Sequence, residues 1–200
     1  MADRPVYLVC GFGRCGTSLV MQMLNAGGIE TTGEWPAFET PESNPLYFNG
    51  DWIASQRGKA VKVLDPHRPE CRLPAMGAYR IVWLDRDHKQ QAKSQVKILR
   101  LMMGVPVGRS AWRAFAGSFK ADRPAALAEL KRLGPVMTLH FEEILGNPGS
   151  AAALIRNHLE AGYAEKMAKA VRPRTSNCLP DLAMELALCG LTETEGGAHD

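Results

Sequence analysis

The chain has no apolar run approaching the roughly 18 residues of a membrane span, so no transmembrane segment is expected. Its first residues, MADRPVYLVCG, lack the long apolar segment and small-residue cleavage site of a signal peptide. The five cysteines, Cys10, Cys15, Cys71, Cys178 and Cys189, form no C-x-x-C, and no paired-histidine motif accompanies them. That pattern gives no expectation of a bound metal and favours reduced thiols in a cytoplasmic setting. There is no basic run, and the net charge is only +3, so neither nucleic acid nor a membrane surface is expected as a partner. No internal repeat is visible.

What remains is a chain of 200 residues, enough for one domain with a real core, spanning 1–200. Val6–Cys10 is a short apolar run rich in β-formers, as expected of a strand buried on both faces of a parallel sheet. Ala60–Leu64, Arg80–Leu84 and Val136–Phe141 read as three more strands. Thr17–Ala26 reads as a helix stopped by Gly27 and Gly28. His88–Met103 places Ala92, Val96, Leu99 and Met103 on one face at helical spacing. Asp87 and Gln90 form its N-cap pair. Helices are also expected over Ala111–Lys120, Ala125–Leu133, Ala151–Leu159, Tyr163–Val171 and Asp181–Leu188. Strands alternating with helices predict an α/β fold: a single-domain, P-loop-type parallel sheet with helices on both faces.

Residues 31–51 (TTGEWPAFETPESNPLYFNGD) break this rhythm. A loop so long is usually functional or disordered, and its aromatics favour a packed functional loop on the acceptor side. Trp35, Phe38, Tyr47, Phe48 and Trp52 either wall an acceptor pocket or pin the loop to the core. Residues 192–200 are expected to fray.

The chemical signal begins at residues 8–19, LVCGFGRCGTSL. A strand, a glycine turn and a helix start form an anion site, because unpaired amides and the helix dipole point at the ligand. Against the nucleotide pattern G-x-x-x-x-G-K-[ST], Gly11, Gly16 and Ser18 fit. Thr17 stands where lysine should be, and the cation has moved upstream to Arg14. A second signal follows in RIVWLDRDHKQQAKSQVK. Arg86 leaves a strand at its carboxyl end and Ser94 comes eight residues later, so both are expected on the rim that carries Arg14. A guanidinium and a hydroxyl together suit one phosphate.

GRCGTSL resembles the 5′-phosphosulfate loop of the sulfotransferases, which transfer a sulfuryl group from 3′-phosphoadenosine 5′-phosphosulfate (PAPS) and release adenosine 3′,5′-bisphosphate (PAP). The family loop reads Pro-[Lys/Arg]-Ser-Gly-Thr-[Ser/Thr]; here Gly13 replaces the proline and Cys15 the serine. Arg86 with Ser94 resembles the family's 3′-phosphate element. HFEEILGNP (140–148) resembles, more weakly, a family strand followed by Glu-Glu-x-Leu. The resemblance implies PAPS binding by Arg14, Cys15 (through its backbone N–H), Gly16, Thr17, Ser18, Arg86 and Ser94. Arg172 or Arg174 would complete the pocket, unless they are simply cations favoured at a helix C-terminus.

Sulfuryl transfer demands positioning and charge stabilisation, here from Arg14, and a hydroxyl acceptor also needs a general base. Glu34 falls on one member of a Glu-Glu pair of protein-tyrosine sulfotransferases, and Glu39 is a weaker copy of that argument. His67 follows a strand's carboxyl end, though Leu64, not His67, matches the histidine of the cytosolic enzymes' Lys-x-His. Asp65 shares that site. The sequence leaves these alternatives open, as it does the acceptor (a small molecule or a glycan) and the oligomeric state. Two rival readings stand beside the transferase. One is a small-molecule kinase using ATP–Mg, with Asp65 and Asp85 ending apolar strands as magnesium-holding residues would. The other is a non-catalytic module that binds PAP or another nucleotide.

Overall fold

The computed structural model describes residues 4–75, 78–103 and 108–172. Four strands, β1 (Val6–Gly11), β2 (Ala60–Leu64), β3 (Tyr79–Asp85) and β4 (Val136–His140), form one parallel sheet in the order β2-β1-β3-β4. Every β1 side chain is buried, which explains the unbroken apolar run. Tyr7 and Val9 enter one core cluster; Val6, Leu8 and Cys10 enter the other.

The first cluster is covered by α1 (Thr17–Ala26), α5 (Phe141–Gly146), α6 (Pro148–Leu159) and α7 (Ala164–Lys169). The second is covered by α2 (Gly50–Ser55) and α4 (Arg109–Leu133), while α3 (His88–Met103) packs on α4. The predicted α/β architecture with helices on both faces is therefore present. The Asp87 side chain accepts from the Gln90 amide at 2.9 Å at the start of α3, as read from the sequence.

Two helical differences have physical reasons. Residues 109–133 form one helix rather than two, with Pro124 inside it. The proline removes one backbone hydrogen bond at a typical cost of about 3 kcal/mol, but Ala126, Leu130 and Leu133 beyond it are buried in the core and hold the turns together. The helices α2 and α5, six residues each, were too short to show periodicity. The α2 start was legible in principle, since the Asn49 side chain caps the Trp52 amide at 3.0 Å. The expected helix at 181–188, the tail 192–200, Cys178, Cys189 and Arg174 lie outside the described residues. Cys10, Cys15 and Cys71 are buried free thiols.

The chain passes from β1 to β2 on one side, then crosses back to β3 on the other. The loops after β1 and β3 thus diverge at a topological switch point, where open α/β sheets bind ligands beyond their strand ends. Gly11 and Asp85 end these two strands, so both sequence signals emerge there.

Candidate functional site

The turn after β1 is built on close contacts. A Cβ at Gly11 would collide with the Cys15 Sγ and lie 3.0 Å from the Leu84 carbonyl oxygen. Gly16 has φ 106, and a Cβ there would lie 2.5 Å from the Phe141 ring. Arg14 also adopts positive φ, at 68. The loop wraps back so that α1 starts with Gly16 as its N-cap and no side chain capping it. The Ser18 and Leu19 amides have no intrahelical carbonyl to reach, the arrangement that receives an anion.

Of the predicted phosphate contacts, Arg14, Gly16 and Ser18 remain partly exposed. Cys15 and Thr17 are turned inward. Cys15 is 1% exposed and its N–H donates to the Phe12 carbonyl at 3.3 Å, closing the turn rather than facing a ligand. Burial pushes the Cys15 thiol up to about 12, against the smaller, lowering effect of a hydrogen bond from the Thr17 amide. Cys15 is thus a core residue.

Arg86 leaves β3 and runs beneath the loop. It is 6% exposed, its Nη1 donates to the Arg14 carbonyl at 3.0 Å, and its guanidinium lies over the Phe141 ring at 4.4 Å. The Glu142 carboxylate stands 3.8 Å from its Nε. The Arg14 Nε in turn donates to Ser94 Oγ at 3.1 Å, and Gln91 Nε2 donates to the Gly13 carbonyl at 2.7 Å. The loop and the β3–α3 element therefore form one connected cluster. The pairing differs from expectation in one respect: Ser94 bonds Arg14, while Arg86 takes the backbone of that residue. Arg86 therefore braces the loop as well as standing on its rim.

Sequence reasoning missed Lys62, a cation in the apolar run AVKVL of β2. Lys62 is 4% exposed and its Nζ donates to Ser18 Oγ (3.1 Å), the Ala37 carbonyl (2.8 Å) and Glu39 Oε1 (2.7 Å). Burial holds its pKa below the ordinary lysine value, a shift partly offset by Glu39. Its signal was a lone charge inside a strand with both faces covered, a position tolerated only when the charge is paired. Gln91 carried no motif and was invisible; Glu142 lay in the Glu-Glu-x-Leu segment, which gave no sign that it would stand against Arg86.

The candidate bases are distributed as follows. The Glu34 carboxylate is exposed and has no ionic or hydrogen-bond partner among the described residues. Glu39 is tied to Lys62. Asp65, at φ 51, stands 3.4 Å from Arg68, and burial raises its carboxyl above the usual range. His67 packs edge-on against Phe12 of the loop, ring centroids 5.5 Å apart, with its Nε2 3.8 Å from Asp122 on α4. His67 is thus the candidate imidazole standing beside the glycine loop. Asp85 is held by Arg123 and stands 3.7 Å from His140 Nδ1, so the second carboxylate of the kinase reading is already paired with a guanidinium.

The long loop is packed, and its aromatics divide. Phe38 is buried in the first core cluster, and Phe48 and Trp52 pack on the second. Trp35 and Tyr47 are exposed. Its backbone is bonded to α1, with Ser18 Oγ donating to Ala37 O at 3.4 Å and Gln22 Nε2 to Pro36 O at 3.3 Å.

No protein-family model matches this sequence, and no curated protein matches it. Solved structures do match. The sulfotransferase domain of the Synechococcus PCC 7002 olefin synthase superposes with a TM-score of 0.56 at 14% identity, over 86% of this chain and 79% of that one. Retinol dehydratase, in complex with androsterone and inactive cofactor PAP, gives 0.53 at 16% identity, over 85% of this chain and 64% of that one. The sulfotransferase domain of the curacin biosynthetic pathway gives 0.53 at 11%, over 94% and 89%. The chain spans just under two thirds of the retinol dehydratase chain. At these identities the likeness is one of fold, and the fold is sulfotransferase-like.

Proposed function

We propose that this protein is a sulfotransferase that moves a sulfuryl group from PAPS to a hydroxyl or amine acceptor, on a small molecule or a glycan. The observation that carries the reading is the joining of the two nucleotide elements: Arg86 donates to the Arg14 backbone, and Arg14 donates to Ser94. Two cations and a hydroxyl gathered at a switch point suit a nucleotide charged at both ends. The uncapped start of α1 fits its 5′ anion, with the loop glycines leaving room for close approach.

PAPS would supply the sulfuryl group, the acceptor oxygen replacing the bridging oxygen on sulfur and PAP leaving with that electron pair. Arg14 and the amides of Ser18 and Leu19 hold the phosphate end and offset the charge that grows there. Lys62, bonded to Ser18, adds a poorly solvated cation to the same side. His67 is the best-supported base, because it stands against Phe12 of the loop, while Glu34 has no partner among the described residues and Glu39 is held by Lys62. Its imidazole takes the acceptor proton as the new S–O bond forms. Ser94 and Arg86 grip the 3′-phosphate, with Arg174 as the C-terminal contribution.

Thermal unfolding with PAP and, separately, with ATP plus magnesium tests this. At about 100 times its dissociation constant PAP adds roughly 2.7 kcal/mol, seen as a higher Tm. Stabilisation by ATP–magnesium and none by PAP contradicts the proposal and favours a kinase.

A further inference from the structure

Asp122 lies in no motif, yet three features single it out. It sits on α4 between a stretch facing the glycine loop and a stretch buried in the core. On one side Phe119 stacks on Phe12, centroids 5.7 Å apart. On the other, Ala126, Leu130 and Leu133 anchor the helix. The adjacent Arg123 is bound to Asp85 at the end of β3. Asp122 is therefore presented to the rim by a backbone fixed at several points.

Its carboxylate is itself oriented. Ser118 Oγ, one turn earlier, donates to Asp122 Oδ2 at 2.7 Å. That same oxygen stands 3.8 Å from His67 Nε2. The other ring nitrogen, Nδ1, is buried and has no hydrogen-bond partner among the described residues. A proton arriving from outside is therefore taken at Nε2, opposite the carboxylate. Asp65, in the turn before His67, is the other acid near the ring.

We infer that Asp122 is a positioning residue for His67: its carboxylate, oriented by Ser118 and held on α4 at 3.8 Å from Nε2, favours the ring placement that faces it and stabilises the cation the imidazole becomes on accepting the acceptor proton. The inference rests on the sulfotransferase reading and on His67 as its base. Asp122 touches neither donor nor acceptor, so it acts on the proton-transfer step and leaves donor binding alone. The chemistry is ordinary acid–base: the proton moves from the acceptor oxygen to Nε2 as that oxygen bonds sulfur, and no redox step or further reactant is required.

The test follows PAP release from PAPS, with 2-naphthol as the acceptor probe and with water alone. Asp122→Asn is expected to lower kcat by about tenfold while the KM for PAPS stays within about twofold, and Asp122→Glu to recover part of the loss. His67→Gln is expected to lose about a hundredfold, and adding Asp122→Asn to it to cost nothing more, because the two act as one unit. An unchanged Tm rise with PAP shows that each variant is folded. If the wild-type protein releases PAP and Asp122→Asn keeps its kcat, or if the two losses multiply, the inference is overturned while the functional reading stands. If the wild-type protein neither responds to PAP nor releases it, the functional reading fails and takes this inference with it.

Discussion

The Arg86 guanidinium donates to the backbone carbonyl of Arg14 at 3.0 Å, across 72 positions of sequence. The side chain of Arg14 meanwhile donates to Ser94 at 3.1 Å. The two elements read separately in the sequence thus hold each other in place. A side chain from the end of β3 supports the backbone of the loop after β1, and α3 returns a hydroxyl to the loop's cation.

Replacing Arg86 by alanine removes the brace and a candidate phosphate ligand together. Both PAP and adenosine 5′-phosphosulfate are expected to bind more weakly, by about tenfold or more for the first, since a hydrogen bond to a charged group contributes about 1.5–3 kcal/mol. PAP should lose more, because only it carries the 3′-phosphate. Calorimetric titration of both ligands checks this. Equal losses would assign Arg86 to the brace alone.

Cys15 offers the opposite case. Its sulfur is buried in the core beneath the loop. Cys15→Ala is expected to cost about 1 kcal/mol of stability through the small cavity and to leave PAP affinity within about threefold. Urea unfolding and PAP titration measure the two effects. A large loss of PAP affinity at unchanged stability would show that the thiol faces the nucleotide.

Lys62 gives the fold a pH dependence of definite sign. Burial lowers its folded-state pKa below the ordinary 10.5. Between that lowered value and 10.5 the unfolded chain binds more protons, so this group's contribution to stability rises with pH across the window; below it, the cost of the buried charge is felt in full. Unfolding free energies of wild type and Lys62→Met, compared at rising alkaline pH up to the ordinary lysine value of 10.5, should therefore move in the wild type's favour as pH rises. A flat or reversed difference would show that the lysine is not desolvated.

How much of this was legible followed from the reach of each signal. The β1 run, the glycine turn and the helix at Thr17 are local, and the structure keeps their boundaries nearly unchanged. Arg86 was legible as the residue after a strand, but not its burial against Phe141 and Glu142, because those side chains come from α5, which has too few turns to show a period. The exchange of partners that gives Ser94 to Arg14 was invisible for the same reason, since pairing across 80 positions leaves no trace in spacing. Pro124 misled because its local cost is real and only tertiary packing outweighs it. Lys62 was overlooked although its signal, a charge in a covered strand, was on the page.

The central claim is that one adenosine nucleotide is gripped at both of its ends by the paired clamps around Arg14 and Arg86. Equilibrium titration of the wild-type protein with PAP, adenosine 5′-monophosphate and adenosine 3′-monophosphate tests it most directly. Each monophosphate forfeits one clamp, so PAP is predicted to bind at least about tenfold more tightly than either, about 1.4 kcal/mol per clamp. Equal affinity for PAP and adenosine 5′-monophosphate, or no binding of PAP at all, would contradict the account.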